Sequence, residues 1–221
     1  MATRPYPGRG CLAARTRDGE LSFLYFLTGR SAASRNRHIE RTSTGDVRIV
    51  DSDADSRNDV LRHYVAAARR GDWFVIGNGD QVEPLAAALA AGQSPAAAGM
   101  HHTFEPDPPI FTQRIWLALR LTDADPACLF GFAQRAADDG ATNRLTLSVG
   151  AIARGRAVLM TTYDGTADSP HTTPFPSHVT VDSASRRELL DVVWAALDPA
   201  VRIAAFAVDP QDVASTIRTI P

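Results

Sequence analysis

Two tight hairpins precede the first recognisable helix, and that order constrains the fold more than any other feature. Residues 10–15 and 21–28 read as apolar strands separated by Thr16-Arg-Asp-Gly-Glu20, whose Asp-Gly pair marks a tight reversal. Residues 38–42 and 47–50 repeat the pattern around Ser43-Thr-Gly-Asp46. A short buried-type strand at 73–76 follows, and further apolar or alternating runs at 114–121, 128–133, 145–152, 157–163 and 201–208 predict more strands. Only two helices are legible. One spans 81–91, with Pro84 in its first turn and Gly92 as its stop. The other follows the capping box Ser185-Arg-Arg-Glu188, carries Leu189, Val193, Trp194 and Leu197 at helical spacing, and ends before Pro199. Residues 59–70 fit either state, because Val60, Leu61, Tyr64 and Val65 have helical spacing while the alanines tolerate both. Elements in this order do not alternate as β-α-β. They predict a layered α+β fold with mostly antiparallel sheets rather than a doubly wound parallel one.

The chain has 221 residues, of which 44% are hydrophobic, enough to fill one sizeable core, so a single domain is expected. Every one of its 23 basic side chains is an arginine, and the lack of lysine excludes Schiff-base chemistry and lysine general bases. A net charge of -2 provides no field to attract a polynucleotide, so nucleic acid is not an expected partner. No stretch reaches the ~18 uninterrupted apolar residues of a membrane helix, and the N-terminus lacks an apolar leader core. The expectation is a soluble cytoplasmic protein with no membrane partner. Cys11 and Cys128 form no C-x-x-C pair and lie apart from histidines at ligand spacing, so neither a disulfide framework nor a metal site is expected. Cys11 itself admits two readings: a small apolar strand residue, or a nucleophile exposed by cleavage after Gly10. No G-x-G-x-x-G, P-loop, H-E-x-x-H or G-x-S-x-G motif occurs.

Four arginines, Arg9, Arg30, Arg35 and Arg37, cluster among small residues and hydroxyls around the segment Tyr25-Phe-Leu-Thr-Gly-Arg-Ser-Ala-Ala-Ser-Arg-Asn-Arg37. Planar guanidinium forks in such a setting suit a phosphate; a solvated basic turn is the plainer alternative. Asn78-Gly79-Asp80-Gln81 follows an apolar strand, where ligand-contacting groups of sheet proteins often emerge, although an Asn-Gly turn explains it equally well. Residues 103–114 hold Glu105, Asp107 and Arg114 in a loop stiffened by three prolines, and a positioned carboxylate suits general acid-base work. A long Ser-, Thr-, Pro- and His-rich loop after Tyr163 reads as a lid or as solvated surface. The adjacent His101 and His102 would point to opposite faces of a strand, which makes shared metal ligation awkward.

At these residues the chain resembles the archaeal-type IMP cyclohydrolase family and its bacterial relatives. The likeness rests on Tyr6-Pro-Gly-Arg-Gly10, Tyr25 through Arg37, Asn78 to Gln81, Phe104-Glu-Pro-Asp107 leading to Arg114-Ile115, and Thr162-Tyr163. It implies a single domain over 1–221 with a four-layer α-β-β-α, N-terminal nucleophile hydrolase-like fold that lacks the autocatalytic nucleophile. It further implies closure of the purine ring of 5-formamidoimidazole-4-carboxamide ribotide to IMP and water, without metal or cofactor, and a homo-oligomer. By the same resemblance Glu105 transfers protons and Tyr64 hydrogen-bonds the formyl oxygen. Asn78, Asp80 and Tyr163 hold the base or ribose, with Gly79 beside them. Arg9, Arg30 and Arg37 hold the 5'-phosphate, with Arg35 and Arg114 as further candidates and Ser31 and Asn36 in the same motif. The family carries lysine near the site where this chain has none, and arginine cannot exchange a proton near neutral pH. Two alternatives therefore stay open: a related reaction on another phosphoribosyl carboxamide, and a non-catalytic purine-nucleotide-binding protein.

Overall fold

The computed structural model of the chain describes residues 5–56, 59–122, 127–136, 140–172, 175–213 and 218–220. It begins with β1 (Arg9–Arg15) and β2 (Leu21–Thr28), a one-turn helix α1 (Ala32–Arg35), then β3 (Arg37–Arg41), β4 (Val47–Asp51), β5 (Tyr64–Arg70) and β6 (Trp73–Gly77). Helices α2 (Val82–Ala90) and α3 (Pro95–Gly99) follow, then β7 (Arg114–Arg120), β8 (Cys128–Arg135), β9 (Thr142–Val149), β10 (Arg156–Thr161), β11 (Tyr163–Gly165), β12 (Pro170–Thr172) and β13 (Ser177–Thr180). The chain closes with α4 (Arg186–Ala196), β14 (Arg202–Val208) and β15 (Arg218–Ile220). A seven-stranded meander runs β3 to β9 in sequence order, and a six-stranded sheet has the order β13-β10-β1-β2-β14-β15. Neighbouring strands pair antiparallel, as in β1 with β2 and β7 with β8, so the protein is mixed α+β with mostly antiparallel sheets and few helices. Among the described residues no helix is long and apolar enough to cross a membrane.

Period-2 geometry explains why the strands read as continuous apolar runs. In β1 and β2 the odd-numbered Cys11, Ala13, Phe23, Tyr25 and Leu27 join one buried cluster, while Leu12, Ala14, Leu24 and Phe26 join another. The first cluster also takes Ile76, Ile115, Leu117 and Phe130 from the seven-stranded sheet. The second takes Leu189, Leu190, Val193 and Leu197 from α4 and its C-terminal end. A third cluster joins Val65, Val75, Trp116 and Ala118 to Val82, Leu85 and Leu89 of α2 and to Ala98 of α3. Both faces of each sheet are thus buried against something apolar, and strict apolar-polar alternation has no reason to appear.

Residues 59–70 show where helical spacing misleads. The chain turns at 60–62 and then runs as β5, with Tyr64 in the inter-sheet cluster and Val65 in the cluster under α2, so the periodicity is two. His101 and His102 lie in a turn and loop after α3 instead of on a strand. Helix α3, which starts at Ser94 with its hydroxyl accepting Ala97 N–H and Pro95 in its first turn, has no periodic apolar face to announce it. The loop after Tyr163 resolves into the β11–β12 hairpin and then β13, which pairs with β10. At the start of α4 Ser185 accepts Glu188 N–H at 3.2 Å, but the Glu188 carboxylate reaches Ala184 N–H, one residue earlier than a reciprocal box requires.

Two strand glycines are forced by aromatic rings opposite them. Gly10 faces Phe26, and a Cβ on Gly131 would stand 2.1 Å from Trp116 Cζ2, a ring buried between the sheet and α2. Gly131→Ala is therefore expected to destabilise the fold by about 1–3 kcal/mol through overpacking, read as a lowered denaturant midpoint at unchanged m-value.

Candidate active site

Arg9 opens β1 with its side chain folded inward, and its Nη2 donates to Glu105 Oε1 at 2.6 Å, with both side chains almost fully buried. Glu105 lies on the proline-rich loop between α3 and β7. Its N–H donates to Thr112 carbonyl at 2.8 Å, and the Asp107 carboxylate closes the loop by accepting Thr112 N–H at 2.6 Å and the Thr112 hydroxyl. The proline rings and this doubly anchored aspartate fix where Glu105 stands.

Asn78, just after β6, supports the same carboxylate. Its Nδ2 donates to Glu105 Oε1 at 3.2 Å and to Gln113 carbonyl at 3.0 Å, while its Oδ1 accepts Ile115 N–H at 2.6 Å and Gln81 Nε2 at 3.1 Å. All four hydrogen-bonding positions of that amide are spent within the protein, so Asn78 is built to position Glu105. Arg114 donates to Asp80 and to Gln81 Oε1, which ties the Asn78-to-Gln81 turn to the start of β7. Gly79 packs close to this pair, since a Cβ there would lie 2.6 Å from Arg114 Nη1.

A cavity of about 290 Å³ opens beside the Arg9–Glu105 pair. Of the residues singled out in the sequence, Arg9, Arg30, Ser31, Arg37, Glu105, Asp107 and Tyr163 line it. Guanidinium groups from both ends of the first hairpin therefore converge with the buried Glu105, and Asp59 and Asp107 also line the cavity. Arg37 is held by Ser34 carbonyl at 2.8 Å, and Arg30 reaches Ala167 carbonyl, between β11 and β12, at 3.0 Å. The remaining candidates lie elsewhere. Arg35 is exposed and donates to Ala200 carbonyl at 3.3 Å, and Asn36 ends α1 through its backbone N–H to Ala33. Asp80 and Tyr64 line a second polar cavity of about 220 Å³, with Arg48, His63 and Glu83.

Sequence reasoning missed Arg62, Tyr6 and Thr112, which line the first cavity. Arg62 is oriented by Asp51 at 3.3 Å and Asp59 at 3.1 Å. Nothing in the run 59–70 marked it, because its position on a turn beside the site follows only from how β4 connects to β5. The aromatic at position 6 stacks on Tyr163 with ring centroids 5.7 Å apart.

The electrostatics follow from burial. Desolvation pushes the Glu105 carboxyl up, against the pull of Arg9, so the group is shifted toward the range where it both gives and takes a proton. Burial works against the charge on Arg9, the Glu105 carboxylate chiefly opposes that effect, and the guanidinium stays protonated. The Tyr64 hydroxyl is raised by burial against Arg9 and Arg37, shares a 2.7 Å hydrogen bond with Tyr25, and persists as a neutral phenol. Burial pushes Tyr163 up to about 12 and lowers His102 to about 4, leaving that imidazole neutral. Cys11 is fully buried in the inter-sheet cluster and its thiol is pushed well up by desolvation, as befits a packing residue.

Fold and site together define an antiparallel α+β protein whose arginine-lined cavity is built around one buried, cation-paired glutamate. The family described as IMP cyclohydrolase-like protein matches residues 6–212, and the chain belongs to that family. No curated protein matches the chain.

Proposed function

We propose that the chain is an IMP cyclohydrolase that closes the purine ring of 5-formamidoimidazole-4-carboxamide ribotide, releasing IMP and water. The observation that carries this reading is the buried Arg9–Glu105 contact at the wall of a cavity also lined by Arg30, Arg37 and Arg62. Membership of the IMP cyclohydrolase-like family supports it. The carboxamide nitrogen attacks the formyl carbon and gives up one proton to the formyl oxygen, forming a hydroxyl; that hydroxyl then takes up the proton lost by the formamido nitrogen and leaves as water while the ring C=N bond forms. One group able to accept and return a proton serves both steps, and Glu105 is that group in this reading. Arg9, held against Glu105, belongs with the proton-transfer centre, which leaves Arg30, Arg37 and Arg62 for the phosphate. Tyr64, paired with Tyr25 as a neutral phenol within the field of Arg9, lines the second cavity and is left out of the proton-transfer centre in this reading. No lysine is needed for any of these roles.

The same reading takes the chain as one four-layer α-β-β-α domain of the N-terminal nucleophile hydrolase type. The three buried clusters support it: one between the sheets, one beneath α4 and one beneath α2 and α3. Purified protein incubated with the formamido ribotide should produce IMP, followed by its ultraviolet absorbance. IMP binding without turnover would favour a nucleotide-binding protein instead, and absence of both would discard the reading.

A further inference from the structure

Asp107, Thr112 and Tyr163 join end to end along the wall of the cavity, and their hydrogens can be assigned from chemistry alone. Asp107 as a carboxylate only accepts, and both its oxygens are engaged by Thr112, one by the backbone N–H at 2.6 Å and the other by the hydroxyl. A threonine hydroxyl owns one hydrogen. With that hydrogen committed to Asp107, Thr112 can only accept from its other partner, the Tyr163 hydroxyl. The phenol's single hydrogen is committed in turn, so what Tyr163 offers the cavity is lone pairs. Thr112 is fully buried, which shields this direction from competing water. The phenol ring is fixed by stacking on Tyr6, by Tyr163 N–H on Pro7 carbonyl at 3.1 Å, and by Thr161 Oγ1 donating to Tyr163 carbonyl at 3.0 Å.

We propose that Asp107–Thr112–Tyr163 is a one-way hydrogen-bond chain that makes the Tyr163 oxygen an obligate acceptor, so that the cavity selects ligands presenting a hydrogen-bond donor there. Tyr163 is then the residue that touches the ligand, and Thr112 and Asp107 are positioning residues acting through it. The inference rests on the functional reading above only in taking the ligand as a purine ribotide. Two parts of such a ligand carry donors, the ribose hydroxyls and the carboxamide N–H. An analogue without the matching donor leaves a desolvated lone pair facing its own, the costly way to lose a hydrogen bond.

The test is calorimetric affinity of the unmodified protein for IMP, 2'-deoxy-IMP and 3'-deoxy-IMP, and for an imidazole 4-carboxamide ribotide against its 4-carboxylate counterpart. A donor-lacking member of one set should bind roughly 10- to 100-fold more weakly. A deoxy analogue in that role assigns the acceptor to the ribose, and the carboxylate assigns it to the amide. The gap should close in Tyr163→Phe. It should also shrink in Thr112→Val, which keeps the phenol but frees its hydrogen to point either way, and survive in Thr112→Ser, which a merely structural role for Thr112 does not predict. Equal affinity across every set overturns this inference and leaves the cyclohydrolase reading standing. Failure of every ribotide to bind the unmodified protein overturns both.

Discussion

Glu105→Gln should lower turnover of the formamido ribotide by roughly 10²- to 10⁴-fold, the usual contribution of a positioned acid-base group, while IMP still binds. Glutamine keeps an oxygen for Arg9 and Asn78 to donate to, so the cavity wall retains its shape, but the amide cannot take up and return a proton. Steady-state kinetics with calorimetric IMP binding separates the two effects. Unchanged turnover would remove Glu105 from the mechanism. The variant should also alter stability against pH in a fixed direction. Burial raises the folded-state carboxyl above its unfolded value, so through that window the folded protein holds more protons than the unfolded chain. Stability should accordingly decline as pH climbs from the ordinary carboxylate range through the raised value. In Glu105→Gln that part of the decline should be missing from denaturation curves recorded at successive pH values.

Arg9→Met is expected to cost about 3–5 kcal/mol of folding stability, because it leaves the Glu105 carboxylate buried without its cation. The methionine fills much of the space of the arginine stem, so the loss reports on charge and hydrogen bonding more than on a cavity. The carboxyl should move further upward, since its main opposing influence is gone. Adding Glu105→Gln to Arg9→Met should restore a large part of the stability, since replacing both partners is far cheaper than stranding one. Chemical denaturation of the two single variants and the double variant measures the coupling. Additive losses would mean that the pair contributes nothing as a pair.

Much of the strand inventory was legible because both hairpins carry their own turn chemistry. Gly19 at φ 98° and Gly45 at φ 87° occupy left-handed positions at the reversals that Asp-Gly and Thr-Gly announce. The α4 helix was legible for a similar reason, with its cap, its apolar spacing and the following proline all local in sequence. The run 59–70 was not, because alanines between Tyr64 and Arg70 fit either period and only the neighbouring strands choose between them. At the site, Arg9, Arg30, Arg37 and Glu105 could be picked out from residue type and motif, and they do share a cavity. Arg35 carries the same charge and sits two residues from Arg37, but it follows the turn of α1 outward to Ala200 carbonyl. Nothing within three residues of sequence distinguishes those two arginines.

What the sequence determined by itself was therefore the set of elements and the chemical kinds of group available, since caps, turns and apolar periods act over a few residues. Which of those groups meet was decided only by tertiary structure. Arg9 and Glu105 lie 96 positions apart, and Thr112 and Tyr163 lie 51 apart. Their contacts form because β1, the loop before β7 and the start of β11 are brought to one place by the pairing and packing of two sheets, a long-range outcome that no local pattern encodes.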